Sequence, residues 1–298
     1  MPVPIPALVS VVIPAFNGAA YIGETIASIL AQTYRPLEVL VVDDGSTDRT
    51  AESVQRFGEP VRYLRQENAG TAAARNRAVA ESRGEFIALL DQDDLWVPHK
   101  LERQIPRFAE DPRIGLVFAG IEFFDTHSGK ITSTYFPGLE LDLCDLLAHV
   151  VLPVQTILFR RTALEKIGPF DTSLGGTDDW DIGIRMAAEF RLVGVEETLG
   201  RVRLHETQQG RNTDRMFHHA MRVLDKHAQV RPGSRECAAA IRTGRDILRE
   251  HQYGCIKGRA FAAWSAGRYL AAAGQSVRAF LQYPPALKRV LARSLFGT

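Results

Sequence analysis

The chain has 298 residues, 45% hydrophobic and 24% charged, a composition typical of a soluble globular protein with one large or two ordinary domains. No window approaches 18 uncharged apolar residues and no basic segment opens the chain, so we expect neither a transmembrane helix nor a signal peptide. The three scattered cysteines, Cys144, Cys237 and Cys255, fit neither a disulfide framework nor a metal cluster. This usage indicates a reducing compartment, so we expect a cytoplasmic protein.

The net charge of +1 conceals an asymmetry along the chain. Residues 1–210 carry 20 Lys and Arg against 30 Asp and Glu, a net charge of −10, whereas residues 211–298 carry 16 against 5, a net charge of +11. Parts that differ this much in charge are expected to have different partners. We place a domain boundary at residue 212, between a domain at 1–212 and a basic helical extension at 213–298.

Strands and helices are predicted to alternate in the first third of the chain. Apolar, β-branched runs predict buried strands at 9–13, where Pro14 stops the run, and at 37–42, 61–64 and 86–90. Apolar residues at the helical period predict helices at 21–30, 50–57 and 70–82. This alternation predicts βαβ units, so we expect an α/β fold with a mainly parallel sheet flanked by helices.

After Trp96 the alternation becomes less regular. The pattern predicts helices at 100–109, 141–150 and 177–190. It predicts strands at 115–124, 129–136, 154–159 and 192–195. Beyond Asn212 it predicts helices alone, with breaks near Pro232-Gly233 and at Pro284-Pro285.

The apolar strand at 86–90 ends abruptly in the acids Asp91, Asp93 and Asp94. Ligands of open α/β sheets bind outside the carboxyl ends of strands, which is where these acids fall. Asp91 and Asp93 share a face in extended backbone, and two neighbouring carboxylates repel each other unless a cation lies between them. Divalent ions such as Mg2+ take oxygen ligands and share them with substrate phosphates. The alternative is an acidic turn that caps the helix near Pro98.

Two other strand ends present polar groups at the same edge of the predicted sheet. Pro14, Ala15 and Phe16 follow the first strand, where a flat base could stack near Phe16. Asp43 and Asp44 follow the second strand, where a carboxylate could accept a hydrogen bond from an imide N–H. One of these two acids is expected to cap the next helix, which leaves the other for a ligand.

Three further positions carry candidate chemistry, and each has a structural alternative. Arg75 and Asn76 could place a guanidinium on a diphosphate, or the arginine could form an ordinary ion pair. Asp178 and Asp179 begin a predicted helix, where one carboxylate could act as a general base or both could cap the helix. His205 could complete a metal site or be structural.

Five motifs together resemble a known family. In chain order they are VSVVIPAFN, VLVVDDGSTD, NAGTAAARNRA, FIALLDQDD and GTDDWD, and over residues 8–210 they resemble the family 2 glycosyltransferases of bacterial type, which have the GT-A fold. The resemblance implies a Rossmann-like domain that moves a sugar from a nucleotide-diphosphate donor to an acceptor hydroxyl, with inversion at the anomeric carbon. It implies a UDP-sugar as the leading donor candidate, a glycan or lipid-linked acceptor, and a place in cell-surface polysaccharide or lipopolysaccharide assembly.

The resemblance also assigns residues to the donor site. Asp44 is the implied contact of the base with Asp43 close by, and Arg75 and Asn76 are placed near the diphosphate or sugar. The full set of implied nucleotide-sugar-binding residues is Pro14, Ala15, Phe16, Asp43, Asp44, Arg75, Asn76 and Asp91.

Metal and base are implied in the same way. The family uses Mn2+ or Mg2+, here assigned to Asp93, with Asp91 facing ribose or metal and His205 at the position of a later metal-binding histidine. Asp179 matches the second acid of the family's Glu-Asp pair and is the implied base, but Asp178 replaces the commoner Glu, so both remain candidates. The Q-x-x-R-W signature of processive synthases is missing, which predicts one sugar per encounter.

The basic extension matches no catalytic motif. Its last stretch, 277–296, mixes apolar and basic residues at helical spacing. This stretch either lies on an anionic membrane surface, giving a peripheral membrane protein, or packs as a helical cap with arginine stems on its surface. Nucleic-acid binding is disfavoured because the aromatic residues are not interleaved on a basic strand face.

Two other functions are alternatives to glycosyl transfer. A nucleotidyltransferase that makes the activated sugar would want a Gly-rich, Lys-containing phosphate loop after the first strand, and residues 14–18 do not form one. A non-catalytic module would bind a nucleotide-sugar without turnover. That alternative is disfavoured because Asp91, Asp93 and Asp179 are all present.

Overall fold

A computed structural model describes residues 7–149, 151–205, 213–230, 234–271 and 273–275. Its first part follows the predicted alternation of strands and helices. The elements are β1 (Val9–Ala15), α1 (Ile22–Leu30), β2 (Leu37–Asp43), α2 (Thr50–Gln55), β3 (Val61–Arg65), α3 (Thr71–Glu81) and β4 (Phe86–Leu89).

The remainder is less regular, with short 3-10 helices at Ile105–Ala109, Val154–Thr156 and Thr172–Leu174. Its strands are β5 (Leu95–Trp96), β6 (Ile114–Asp125), β7 (Ile131–Tyr135), β8 (Glu140–Leu141), β9 (Leu158–Arg160) and β10 (Arg191–Leu204). Its helices are α4 (Lys100–Gln104), α5 (Leu143–Leu147), α6 (Arg161–Ile167), α7 (Asp178–Ala187), α8 (Thr213–Val230) and α9 (Arg235–Ser265).

The described residues form one ten-stranded sheet in the order β3-β2-β1-β4-β9-β6-β10-β5, with β7 on β6 and β8 on β10. The strands β3, β2, β1 and β4 are parallel, as predicted, and so are β6 and β10. The short strand β9 runs antiparallel to both β4 and β6 and joins the two parallel parts, so the sheet as a whole is mixed. The carboxyl ends of β1, β2 and β4 therefore lie side by side at one edge.

One hydrophobic core explains why these segments form these elements. Strand β1 is buried along its whole length, as expected where helices cover both faces of a sheet. Helix α1 buries Ile22, Ile26 and Ile29, which share one helical face. Each such side chain contributes about 1.5–3 kcal/mol on burial, and Ile26→Ala would cost about 2–5 kcal/mol.

Pro14 does not stop the first strand, which continues to Ala15. The Val12 carbonyl accepts a hydrogen bond from the Leu90 amide of the neighbouring chain segment, so the backbone groups of Val12 point towards β4. Those of Pro14, two residues later, point the same way. Pairing between β1 and β4 ends at Leu89, so no ladder bond needs the N–H that proline lacks.

Two other predictions are corrected. Val154–Thr156 is a 3-10 helix rather than a strand, because Thr156 Oγ1 donates to main-chain oxygens that include that of Ala119 at 2.9 Å. Strand β10 extends to Leu204 rather than ending at Val195, because two irregularities between Val195 and Gly200 interrupt its alternation without ending its pairing with β6. Helix α6 and strand β5 were not predicted.

The chain divides into two compact units, residues 1–146 with 150–208, and residues 147–149 with 209–298. In the second unit α8 and α9 are amphipathic, and the interval between them contains the predicted break at Pro232-Gly233. The predicted break at Pro284-Pro285 and the stretch 277–296 lie outside the described residues. Across the described ranges, the helices are too short or too polar to cross a membrane.

Candidate active site

The loops that follow β1, β2 and β4 are tied to one another. The Asn17 amide donates to Ser46 Oγ at 2.9 Å, and Asn17 Oδ1 accepts from the Thr47 amide at 2.9 Å. The Gln92 side chain bonds both main-chain groups of Phe16, at 2.9 and 3.0 Å. Phe16 is left 41% exposed. The three strand ends thus form one edge with an aromatic ring presented to solvent.

Asp43 and Asp44 are both buried and both accept hydrogen bonds from the protein. Asp43 accepts from the Ser46 amide at 2.7 Å and from the Tyr63 hydroxyl at 2.5 Å. Burial alone would raise the pKa of Asp43, but these hydrogen bonds hold it below its ordinary value.

Asp44 accepts from Gln66 Nε2 at 2.7 Å and from the amides of Ala69 and Gly70 at 2.8 Å each. The expectation that one of the two acids would cap the next helix and leave the other for a ligand is therefore wrong, because the Thr50 amide at the start of α2 donates to Asp48 at 3.0 Å and both acids bond other groups. A carboxylate has about four acceptor positions, and these bonds occupy three of those of Asp44. Its role as the base contact stays a prediction.

Arg75 of α3 joins carboxylates from distant parts of the chain. Its Nη1 donates to Asp178 Oδ2 at 2.7 Å and its Nη2 to Asp91 Oδ1 at 2.9 Å. Arg75 and Asp178 are buried, whereas the Asp91 side chain is 33% exposed. Loss of water raises the pKa of Asp91 against the lowering effect of Arg75, and the charge of Asp93 adds to the rise.

Asn76, the next residue, uses its amide on the main chain. Its Nδ2 donates to the Phe170 carbonyl at 2.9 Å, and its Oδ1 accepts from the Phe170 amide at 2.8 Å. The Arg75 guanidinium carbon lies 5.9 Å from the centre of the Phe170 ring. The structure thus gives Asn76 a part in fixing the Phe170 segment against α3, and its placement near a diphosphate stays a prediction.

Asp179 is the second residue of α7 and lies beside the Arg75 ion pairs. Trp180 fixes this helix start, because its indole N–H donates to the Leu146 carbonyl at 2.9 Å. Asp179 Oδ1 accepts from the Trp180 amide at 2.8 Å. Loss of water and the charge of Asp178 raise the pKa of Asp179 to about 7, against the opposing effect of Arg75. Asp179 is therefore poised to exchange a proton near neutral pH.

His205 meets Asp93 at the end of β10. Its Nε2 lies 2.8 Å from Asp93 Oδ2, and its ring centroid lies 4.7 Å from that of Tyr21. The predicted partnership of Asp93 and His205 depends on β10 extending to Leu204, since that strand brings the histidine to the acidic loop, residues 91–94, that follows β4. The structure thus brings both predicted residues together.

Arg203 was missed by sequence reasoning. Its Nε donates to the Asp93 carbonyl at 2.9 Å and its Nη2 to Glu24 Oε2 at 2.6 Å. Its guanidinium carbon lies 4.8 and 5.0 Å from the ring centres of Tyr21 and Phe124. The alternation of Arg and apolar residues in the run Arg201 to Leu204 was the signal that could have extended the strand and revealed this residue.

Asp94 was recognised as an acid but given no role. It is 2% exposed and accepts a hydrogen bond from the Arg203 amide at 2.9 Å. Burial, followed by the charges of Asp93 and Asp91, raises the pKa of Asp94 well above its ordinary value. The acidic loop is thus anchored to β10 at two points, the Asp94 carboxylate and the Asp93 carbonyl.

A divalent cation is chemically compatible with this group. Adjacent ligands of an octahedral ion at 2.0–2.1 Å lie about 2.9 Å apart, and Asp93 Oδ2 and His205 Nε2 are separated by 2.8 Å. Within the described ranges, no three His, Cys, Asp or Glu side chains converge closely enough to hold an ion by themselves. The residues therefore fit an ion that takes its other ligands from phosphate or water, as Mg2+ commonly does.

Two solved structures have folds similar to that of this chain. A mannosyltransferase of Pyrobaculum calidifontis, in complex with GDP-Man and Mn2+, superposes with a TM-score of 0.67 at 23% identity and covers 98% of this chain and 85% of its own. S. aureus TarS 1–349, in complex with UDP-GlcNAc, gives 0.65 at 17% identity and covers 91% and 81%. At these identities the likeness shows the fold, which confirms the predicted GT-A class.

Sequence relatives show the family. An uncharacterized glycosyltransferase of Rickettsia typhi is 35% identical over 211 residues, or 67% of this chain and 65% of that protein. The UDP-Glc:alpha-D-GlcNAc-diphosphoundecaprenol beta-1,3-glucosyltransferase WfgD of Escherichia coli is 35% identical over 166 residues, or 55% and 64%. The chain thus spans just under two thirds of the length of these relatives. The sequence model described as Glycosyl transferase family 2 matches residues 10–168, more than half of the chain, and the protein belongs to that family.

Proposed function

We propose that the chain is a metal-dependent, inverting glycosyltransferase of hexosyl type, which adds one sugar per encounter from a nucleotide-diphosphate sugar to an acceptor hydroxyl. Membership of the family supports the reaction class. The observation that carries the proposal is Asp179, whose raised pKa of about 7 arises beside the Arg75 ion pairs with Asp91 and Asp178. A carboxylate with that pKa suits a general base at neutral pH.

Proton and sugar move together in the proposed step. Asp179 takes the proton of the acceptor hydroxyl as its oxygen bonds to the anomeric carbon. The bond from that carbon to the diphosphate breaks on the opposite face, and the electron pair leaves with the nucleotide. Asp178 is the less suitable base, because its Oδ2 is already committed to Arg75 at 2.7 Å and its side chain is fully buried.

The charge that develops on the leaving diphosphate needs a cation. Asp93 and His205 would hold Mn2+ or Mg2+, with Asp91 close by, and the ion would supply Lewis-acid stabilisation of that charge, worth several kcal/mol. The exposed ring of Phe16 is suited to stacking on a base, and Asp44 would accept a hydrogen bond from that base.

Donor and acceptor are proposed from the relatives. UDP-sugars are the first choice, since WfgD is named for UDP-Glc and the TarS structure contains UDP-GlcNAc. Guanine-nucleotide sugars are a second candidate, because the mannosyltransferase structure contains GDP-Man. The name of WfgD specifies a diphosphoundecaprenol acceptor, which supports a glycan or lipid-linked acceptor in polysaccharide assembly and peripheral contact with a membrane.

A thermal-shift panel tests the donor site. UDP-, GDP-, dTDP- and CDP-sugars are each added with Mn2+ and with EDTA, because a ligand that binds only the folded state stabilises it by about 2.7 kcal/mol at 100 times its Kd. We expect one nucleotide class to raise Tm with Mn2+ and not with EDTA. Asp93→Asn should abolish the rise, and Asp246→Asn, which removes an exposed carboxylate from the second unit, should not.

Two results would contradict the proposal. One is the absence of any donor-induced shift when Mn2+ is present. The other is release of pyrophosphate from a nucleoside triphosphate and a sugar 1-phosphate, which would identify the nucleotidyltransferase alternative.

A further inference from the structure

The last 48 residues of the chain, 251–298, contain no Asp or Glu. The same residues carry seven Lys or Arg and seven Phe, Tyr or Trp. We refer to them as the acid-free segment. Its positive charge therefore has no acidic counterpart within the segment.

The described part of the acid-free segment leaves large apolar side chains in water. Helix α9 buries Ile256, Ala260 and Ala263, whereas Phe261 and Trp264 are 73% and 62% exposed. Beyond the helix, Tyr269 and Leu270 are 58% and 93% exposed. We call Phe261, Trp264, Tyr269 and Leu270 the aromatic surface. An exposed group of this kind marks an interaction site.

Two residues of the aromatic surface, Trp264 and Tyr269, contact each other. The rings of Trp264 and Tyr269 meet edge to face, with centroids 4.9 Å apart, so the chain after α9 folds back towards the helix end. Tryptophan and tyrosine combine an apolar ring with a polar N–H or O–H, the property that concentrates them at membrane–water interfaces.

Basic side chains flank the aromatic surface. Lys257 is exposed and lies one helical turn before Phe261, and Arg268 is exposed directly before Tyr269. Within the described ranges, neither forms an ion pair. Arg259 differs, because it donates to Asp214 at 2.7 Å and to Thr213 at 2.7 Å. Two cations are therefore available beside the aromatic surface.

We propose that the aromatic surface docks on an anionic phospholipid bilayer, with its side chains at the headgroup boundary and Lys257 and Arg268 on lipid phosphates. Charge complementarity selects this partner. A symmetric contact with a second copy would bring the same unpaired cations together. A nucleic acid would offer phosphates but no apolar phase for Leu270, which is 93% exposed.

This inference extends the proposed function by naming a partner, an anionic bilayer, and the surface that binds it. It rests on the proposed function only in that a lipid-linked acceptor would explain why the protein binds a membrane. Docking is measured without any donor, and donor binding without any lipid. Failure of either test therefore leaves the other interpretable.

Flotation with lipid vesicles tests the docking. The full chain should float with phosphatidylcholine vesicles that contain about one third phosphatidylglycerol, should remain behind with pure phosphatidylcholine, and should be released by high salt. F261S/W264S/L270S should lower the bound fraction by roughly tenfold or more. The matched control is Ile247→Ser, which removes a 43% exposed side chain from the same helix outside the acid-free segment and should change nothing. Circular dichroism confirms that every variant keeps its helices.

Tryptophan fluorescence shows whether this surface is the one that meets the lipid. Trp96 and Trp180 are 3% and 7% exposed, so brominated lipid should quench the emission of Trp264 selectively. Trp264→Phe should still float but lose the quenching. Flotation without quenching, equal binding to neutral vesicles, binding to an oligonucleotide instead of vesicles, or a dimer that the triple substitution dissociates without any vesicle binding would each overturn the proposal.

Discussion

Asp178 and Asp179 are adjacent in the sequence but differ in their electrostatic surroundings. Asp178 is fully buried and bonded to Arg75, and removing one partner from such a pair leaves an uncompensated buried charge. Asp179 forms no ion pair with Arg75 and has its pKa raised to about 7. The sequence left both as candidates for the base. Their contacts in the structure separate one that fixes the site from one suited to proton transfer.

Asp179→Asn should abolish sugar transfer, because an amide cannot accept the acceptor's proton. For the unsubstituted enzyme, kcat/KM should rise with pH and level off above about 7, as Asp179 loses its own proton. The measurement is a pH–rate profile with the donor found by the thermal-shift panel. Glu165→Gln, which removes an exposed carboxylate on α6, should keep both rate and profile. A fully active Asp179→Asn would reject this base.

The same two residues should change stability in opposite directions. The ordinary pKa of aspartate is about 3.9, whereas the pKa of Asp179 in the folded protein is about 7. Ionised Asp179 therefore destabilises the folded protein. This effect is absent below about pH 4 and complete above about pH 7. At pH 8 Asp179→Asn should stabilise the protein by about 1–2 kcal/mol, after allowance for partial exposure. Asp178→Asn should cost about 3 kcal/mol. Urea denaturation measures both, and destabilisation of similar size in both variants would contradict the assignment.

At the scale of elements, the site depends on β10 reaching the acidic loop. Arg203 near the end of this strand bonds the Asp93 carbonyl and Glu24 of α1, and its guanidinium lies against Tyr21 and Phe124. The planar guanidinium can make these contacts together, which a lysine ammonium cannot. Arg203 is thus a positioning residue that holds the Asp93 loop beside His205.

Arg203→Lys should weaken metal-dependent donor binding by roughly 10–100-fold, the usual effect of losing a group that orients a metal ligand. Titration of Mn2+ at fixed donor concentration, followed by Tm, measures the change. Arg201→Lys is the control, since Arg201 lies on the same strand, is 45% exposed and pairs with Glu122. If excess Mn2+ does not restore donor binding in Arg203→Lys, the residue acts on the fold rather than on metal affinity.

The sequence predicted the first half of the fold better than the second. From β1 to β4 each strand is a continuous apolar run and each helix lies between two strands, so periodicity alone indicated every element. In the second half β10 carries Glu196 and Glu197 at an irregularity, and β9 has three residues, so neither produced a clear period. Local patterns predict local structure, and long-range pairing completed these strands.

The candidate site shows the same division. Asp91, Asp93 and Asp179 could be identified because acids follow a strand or begin a helix. The ion pair of Arg75 with Asp178, across 103 positions, could not be predicted from periodicity, and His205 was assigned to the metal site with Asp93, 112 positions away, by the family resemblance. The hydrogen bonds that occupy Asp43 and Asp44 depend on loop conformations that periodicity does not specify.

At the scale of the whole molecule, charge is separated along the chain, with −10 in residues 1–210 and +11 in residues 211–298. In the first unit, acids accumulate where the proposed donor would bring further negative charge. A protein that binds a polyanion at an acidic site needs a mobile cation to compensate the repulsion. The basic second part supplies charge of the opposite sign for a different partner, the proposed anionic bilayer.

Mn2+ alone should therefore stabilise the protein before any donor is added. At ten times its Kd the expected gain is about 1.4 kcal/mol, seen as a rise in Tm that EDTA reverses. Asp93→Asn should remove most of the gain, because it removes the carboxylate that faces His205, whereas Asp246→Asn should leave it unchanged. A gain of the same size in Asp93→Asn would place the ion elsewhere. A gain that appears only after donor is added would contradict this prediction, because it would mean that donor phosphate, and not water, must complete the ligands of the ion.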